Sequence, residues 1–197
     1  MIYENEIKLL VAADWHWYEN RELEQLKKID FDICVTLGDI PINALRALKA
    51  ISADRPMIGI AGNHDDWTTP ELGGAENING KSVYYCGYDF AGLSGSARYK
   101  YGDYPMLTQR ESLEICHKID KADIFLSHDS MYYLIGKDKP HAGLLGIDYY
   151  NIKNRPKLNL CGHHHVSGEY MRYGIKTICV FRCALITFPN ISVKTVF

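Results

Sequence analysis

Lys157-Leu158-Asn159-Leu160-Cys161-Gly162-His163-His164-His165 is an apolar run that stops at a glycine and gives way at once to three histidines. Its length suits a buried strand, and the glycine marks where that strand breaks. His163 and His165 are two apart, so an extended segment would place both imidazoles on one face and turn His164 away. Imidazole is the commonest metal-binding side chain near neutral pH. The triplet gains weight because four other apolar runs end in the same manner.

Residues 7–13 form an apolar run that ends in Asp14-Trp15-His16. Residues 32–37 end in Gly38-Asp39, residues 57–61 in Gly62-Asn63-His64-Asp65, and residues 122–126 in Ser127-His128-Asp129. Helical patterns at 19–29 and 41–51 separate the first three runs, the second with Pro41 at its start, where a missing N–H does no harm. Strand alternating with helix predicts a parallel sheet with helices on its faces. Ligands collect at the carboxyl ends of such strands, so parallel neighbours would bring these ends to one edge. Polar loops follow strands in most proteins, but that alone leaves unexplained why the residues here are Asp, His and Asn.

Elsewhere residues 66–80 read as loop, and 82–86 with 88–93 as an antiparallel pair turning at Gly87. Residues 92–105 form a loop rich in Gly and Tyr, 107–119 an amphipathic helix and 144–152 a short helix. The tail, 168–197, has β-rich runs at 175–180, 184–188 and 191–196, expected to finish a second sheet as antiparallel strands. No repeat or linker interrupts the chain, which predicts one domain over 1–197.

The 197 residues, 47% hydrophobic and 23% charged, are enough for one domain with a sizeable core. A net charge of -2 gives no diffuse attraction for a phosphate backbone, so no extended nucleic acid is expected as partner. Six scattered cysteines lack the spacing of a disulfide framework or zinc ribbon, and are expected as buried free thiols in a reducing cytosol. Glu4 and Glu6 near the start, with no long apolar stretch, predict neither signal peptide nor membrane span, hence a cytoplasmic protein without a membrane partner.

The strand ends combine carboxylates, imidazoles and one amide. Mixed nitrogen and oxygen ligation suits Mn, Fe, Zn, Ni or Co better than Ca or a thiolate zinc site, with manganese favoured. Seven candidate donors exceed the needs of one tetrahedral ion and suit two divalent transition-metal ions sharing a carboxylate, about 3.5–4 Å apart.

Asp-x-His, Gly-Asp, Gly-Asn-His-Asp, a later His and Gly-His-x-His, in this order over residues 7–167, resemble the calcineurin-like metallophosphoesterases. The resemblance implies an α/β, four-layer sandwich: two mixed β-sheets packed face to face and flanked by helices. It gives Asp14, His16 and His165 to one metal, Asn63, His128 and His163 to the other, and Asp39 to both. His64 would act on the leaving oxygen as general acid or phosphate contact, oriented by Asp65, while a hydroxide bridging the metals attacks phosphorus. Leu93-Ser94-Gly95-Ser96 with Arg98, and Pro140-His141-Ala142-Gly143, are similar to a small phosphodiesterase branch, which makes Arg98 and His141 candidate contacts to a small phosphate ester. The expected activity is a metal-dependent phosphodiesterase. The alternatives are a non-catalytic scaffold of the same fold that binds protein, and a nuclease or nucleotide-specific phosphatase using the same site.

Two details depart from the pattern or stay open. Trp15 and Trp17 bracket His16, where a smaller or more polar neighbour is expected. Tyr84, Tyr85, Tyr99, Tyr101 and Tyr104 either line a cleft that stacks a base or pack within the sheets. The apolar run 191–197 offers an edge that would pair across a homodimer.

Overall fold

A computed structural model describes residues 5–197; Glu4, one of the two early acids, lies outside the described residues. The first half of the chain runs β1 (Ile7–Ala13), α1 (Asn20–Leu26), β2 (Ile33–Thr36), α2 (Ile42–Ser52), β3 (Met57–Gly59), α3 (Thr69–Leu72), β4 (Glu76–Asn77), β5 (Ser82–Tyr85) and β6 (Tyr88–Leu93). It continues with β7 (Ser96–Ala97), β8 (Met106–Leu107), α4 (Gln109–Lys118), β9 (Ile124–Ser127), a 3-10 turn at Lys139–His141 and α5 (Leu145–Asn154). β10 (Leu158–Cys161), β11 (Gly168–Arg172), β12 (Ile175–Cys179), β13 (Arg182–Phe188) and β14 (Ser192–Thr195) complete it.

One sheet has the order β14-β13-β1-β2-β3-β4 and the other β11-β12-β10-β9-β6-β5. Both are mixed. β1, β2 and β3 are parallel neighbours, as are β6, β9, β10 and β12, while β13, β14, β11 and β5 pair antiparallel.

Side-chain alternation along each strand explains the layers. Leu9 and Val11 of β1 join Ile33, Val35, Phe90, Leu126 and Leu160 in a core between the two sheets. Leu10 and Ala12 face the other way and pack with Leu45 and Leu48 of α2. Ala91 and Phe125 of the second sheet do the same with Cys116 of α4 and Ile147 of α5. Helices, sheet, sheet and helices therefore form the four layers that the resemblance implied. Complete burial of one such Leu, Ile or Phe is worth roughly 1.5–3 kcal/mol, so two-sided apolar strands are well suited to the middle of a sandwich.

Three expectations need correcting. The tail does not finish one sheet but divides between both. β11 and β12 extend the second, whereas β13 crosses back to pair with all seven residues of β1, and β14 follows as the edge. Local alternation names a strand without naming its partner. Neither residues 66–80 nor 92–105 are all loop, since α3 and β4 lie in the first and β7 in the second. Cys86 is exposed, although the other five cysteines are buried and all six are free. Val196 and Phe197 turn inward, and Phe197 packs against Trp15 with ring centroids 5.1 Å apart. No helix among the described residues is long and apolar enough to cross a membrane.

Candidate metal centre

Parallel pairing delivers the ends of β1, β2 and β3 to one edge of the first sheet, and those of β9 and β10 to the facing edge of the second. Asp14, Asp39, His163 and His165 there have φ of 51°, 56°, 68° and 51°. Non-glycine residues in left-handed backbone are uncommon and gather at functional sites. The Gly-His-His-His segment is thus a bend rather than the extended run expected. A strand continued straight would carry the imidazoles past the edge, whereas left-handed residues turn them back over it.

Two groups of donors result. Asp14, His16 and His165 have ligand atoms within 4.8 Å of one another, and so do Asp14, Asp39 and His128. The His16 and His165 Nε2 atoms are 3.5 Å apart, and His165 Nε2 is 3.6 Å from Asp14 Oδ1. Asp14 Oδ2 accepts the backbone N–H of His163 at 2.7 Å, while Oδ1 is buried with no hydrogen-bond partner. An orphaned buried carboxylate oxygen is costly unless a cation meets it. Asp14 is the carboxylate common to both groups, whereas the resemblance gives that place to Asp39.

On the second side His128 Nε2 lies 3.0 Å from Asn63 Oδ1 and 3.4 Å from Asp39 Oδ2, and its Nδ1 is 2.7 Å from the Leu37 carbonyl. Both ring nitrogens face oxygen acceptors, an environment that asks for positive charge. Burial works against that charge, but Asp39 and the Leu37 carbonyl outweigh it and carry His128 up to about 10. Asp39 is held low in turn, its own burial overcome by His128. The His163 ring is 4.9 Å from that of His128, and its Nε2 donates to the Pro140 carbonyl at 2.8 Å, leaving Nδ1 as the free ligand atom. Burial, with the His128 charge nearby, pushes His163 down to about 4. His165 is raised by its contact with Asp14. Asn63 Nδ2 donates to the Tyr99 hydroxyl at 3.3 Å, which fixes its amide with Oδ1 towards His128. These nitrogen and oxygen donors fit a divalent cation.

The glycines before the candidate ligands are a matter of space. A Cβ on Gly62 would land on the Asp39 carboxylate and lie 2.6 Å from the Asp39 backbone nitrogen, and one on Gly162 would lie 2.7 Å from Asp14 Oδ2. Gly62→Ala is therefore expected to displace Asp39, to cost about 1–3 kcal/mol as an overpacked site, and to weaken cation uptake. A thermal melt and a cation titration on the same sample check this, and wild-type values in both would contradict it.

Other expected residues fall differently. His64 is exposed, its ring edge-on to that of His16 with centroids 6.1 Å apart, and its backbone N–H donates to Asp39 Oδ1 at 2.8 Å. Asp65 does not hold the His64 ring. Its Oδ2 accepts the backbone N–H groups of Asp39 and Gly62, both at 2.8 Å, which staples the two ligand loops together. Burial pushes Asp65 up to about 6.

His141 does reach the centre, with its ring 4.9 Å from that of His163 and its Nδ1 2.7 Å from Asp138. Arg98 does not. Its guanidinium donates to the Met106 carbonyl and to Glu111, each at 3.0 Å. Glu111 is also part of the capping box with Thr108 that starts α4, so Arg98 is fixed on the helix end. Of the tyrosines, Tyr99 meets the centre, and Lys100 lies over the rings of Tyr99 and Tyr104 at 5.5 and 4.2 Å. Tyr84 and Tyr85 belong to β5, where Tyr85 donates to Glu76. Trp15 is core and donates to Glu22 at 3.2 Å, whereas Trp17 stands 87% exposed beside His16. Asp129 and the inward placement of His164 were not anticipated. The one signal in the sequence was an acid directly after His128.

A family model described as the calcineurin-like phosphoesterase superfamily domain matches residues 7–181. No curated protein matches the chain in sequence. Among solved structures, TT1561 of Thermus thermophilus is similar at 14% identity over 98% of this chain and 100% of that one, with a TM-score of 0.67. The Phosphopantetheinyl Hydrolase of Mycobacterium tuberculosis is similar at 11% identity over 90% of each chain, TM-score 0.63. Vacuolar Protein Sorting 29 from Cryptosporidium parvum is similar at 10% identity over 97% of each chain, TM-score 0.52. At such identities these likenesses concern the fold alone.

Proposed function

We propose that this chain, which belongs to the calcineurin-like phosphoesterase superfamily, is a two-cation phosphodiesterase with His64 as its general acid. Membership supports a metal-dependent phosphoesterase in general, and the side chains support the finer assignment. The observation that carries it is the buried, unpartnered Asp14 Oδ1 lying amid the His16, His165, Asp39 and His128 ligand atoms. Asp14, His16 and His165 would hold one cation, and Asn63, His128 and His163 the other, with Asp39 and Asp14 between them. Bound there, divalent ions polarise phosphoryl oxygens and bring the pKa of water towards neutrality.

The protein's own groups supply the remainder. The backbone bond from His64 to Asp39 plants that residue beside a carboxylate of the second donor group, with the imidazole exposed. Among the described residues no group hydrogen-bonds that ring, which suits it to hold a proton for a departing oxygen. His141, steadied through Nδ1 by Asp138, would present its other nitrogen to a phosphoryl oxygen. Among the described residues no lysine or arginine bonds to the seven donors, and Arg98 is held by Glu111. A diester, with one negative charge, needs less cationic support than a doubly charged monoester. Manganese as the ion, a small diester as substrate and a cytoplasmic setting complete the proposal.

A screen of manganese-loaded protein against bis(4-nitrophenyl) phosphate, 4-nitrophenyl phosphate and cyclic nucleotides tests it, with the diester expected to turn over faster than the monoester. Hydrolysis of none of them would end the enzymatic reading and favour a scaffold. Tight, salt-sensitive binding of single-stranded DNA would instead favour a nuclease.

A further inference from the structure

His164 stands between two candidate ligands, yet its own imidazole belongs to neither donor group. Its Nε2 is 3.3 Å from Asp129 Oδ1 and 3.1 Å from Ser130 Oγ. Only 3% of the His164 side chain is exposed, and none of Asp129. Expected to point away from the centre, this imidazole is packed into the protein. The Asp129 carboxylate also accepts the Ser130 backbone N–H at 2.8 Å and the Ala97 backbone N–H at 3.0 Å.

These contacts connect two segments that would carry donors to one cation with a third that holds the partner of another donor. Asp129 follows His128 directly. His164 follows His163 directly. Ala97 lies two residues before Tyr99, whose hydroxyl fixes the Asn63 amide. A carboxylate without solvent must keep its partners, because its unpaired charge is costly. That requirement makes the acid–imidazole contact a rigid tie rather than one of several interchangeable surface contacts.

We propose that the Asp129–His164 contact is a clamp that sets the spacing of His128, His163 and Asn63, so that His164 is a positioning residue for the second cation. The inference rests on the two-cation reading above. Groups that hydrogen-bond a metal's ligands typically govern about 10- to 100-fold of its affinity through the orientation they impose, and a tie between the residues that follow His128 and His163 acts on that same orientation through the backbone.

Three variants separate the clamp from mere bulk. His164→Gln keeps an N–H donor for Asp129. His164→Leu fills the volume without one. The double variant Asp129→Asn/His164→Leu also removes the charge that the single change would orphan, which protects the fold. Each is titrated with Mn²⁺ by calorimetry, and the cation-free form is melted in parallel. The wild type should take up two equivalents. His164→Leu and the double variant should lose about 10- to 100-fold in affinity for one equivalent with the other unchanged, while His164→Gln stays close to wild type. In an Asn63→Ala background, His164→Leu should leave the affinity of the surviving equivalent unaltered, because both changes act on one site. A double variant that melts like the wild type and binds both equivalents at wild-type affinity would overturn the clamp, as would equal weakening of both equivalents. Failure of the wild type to bind any Mn²⁺ would instead overturn the two-cation reading itself.

Discussion

Asn63→Ala is expected to take up one equivalent of divalent cation in place of two, and to lose about 1000-fold in turnover. Asn63 is buried, and each end of its amide is occupied: Nδ2 donates to the Tyr99 hydroxyl at 3.3 Å, and Oδ1 lies 3.0 Å from His128 Nε2. Alanine removes the only amide oxygen in the donor set and frees both neighbours at once. One ion contributes several kcal/mol of charge stabilisation to a phosphoryl-transfer transition state. About 4 kcal/mol corresponds to about 1000-fold in rate. Metal analysis by plasma emission together with steady-state kinetics decides the matter. Retention of two equivalents would remove Asn63 from the ligand set.

His64→Ala is expected to keep both equivalents and still slow the reaction. The tie between this residue and Asp39 is made by its backbone N–H, which alanine preserves. In the proposed mechanism the lost imidazole is the proton donor, and a positioned acid is worth about 100- to 10,000-fold. That loss should appear with an alkyl leaving group, whose oxygen must be protonated as it departs. It should nearly vanish with 4-nitrophenolate, which leaves unaided. Equal losses on both substrates would show that His64 binds phosphate rather than delivering a proton.

Much of the centre was legible because burial and strand termination are local properties. The apolar runs before Asp14, Asp39, Asn63, His128 and His163 each became a buried strand, and each ended within a few residues of its polar group. Parallel order followed from the intervening helices, and with it the meeting of those ends. The partner of each side chain was less accessible. Arg98 is joined to Glu111, Asp65 to the backbone of Asp39, and Arg172 to Asp148, across 13, 26 and 24 residues. No periodic pattern encodes such a distance. β13 shows the same limit, since its alternation made it a strand while only pairing along β1 fixed its sheet.

The sequence by itself determined the kinds of candidate donor atom, their order along the chain and their position at strand ends, because residue identity is local and strand ends follow from hydropathy period and from where glycine breaks it. The tertiary structure alone decided that Asp14 serves both donor groups, that Asp65 staples two loops, and that His164 turns inward to Asp129. Those outcomes depend on left-handed turns and on loops from different strands closing upon one another. A carboxylate or imidazole in such a place takes the partner that packing brings within reach, whatever its neighbours in sequence.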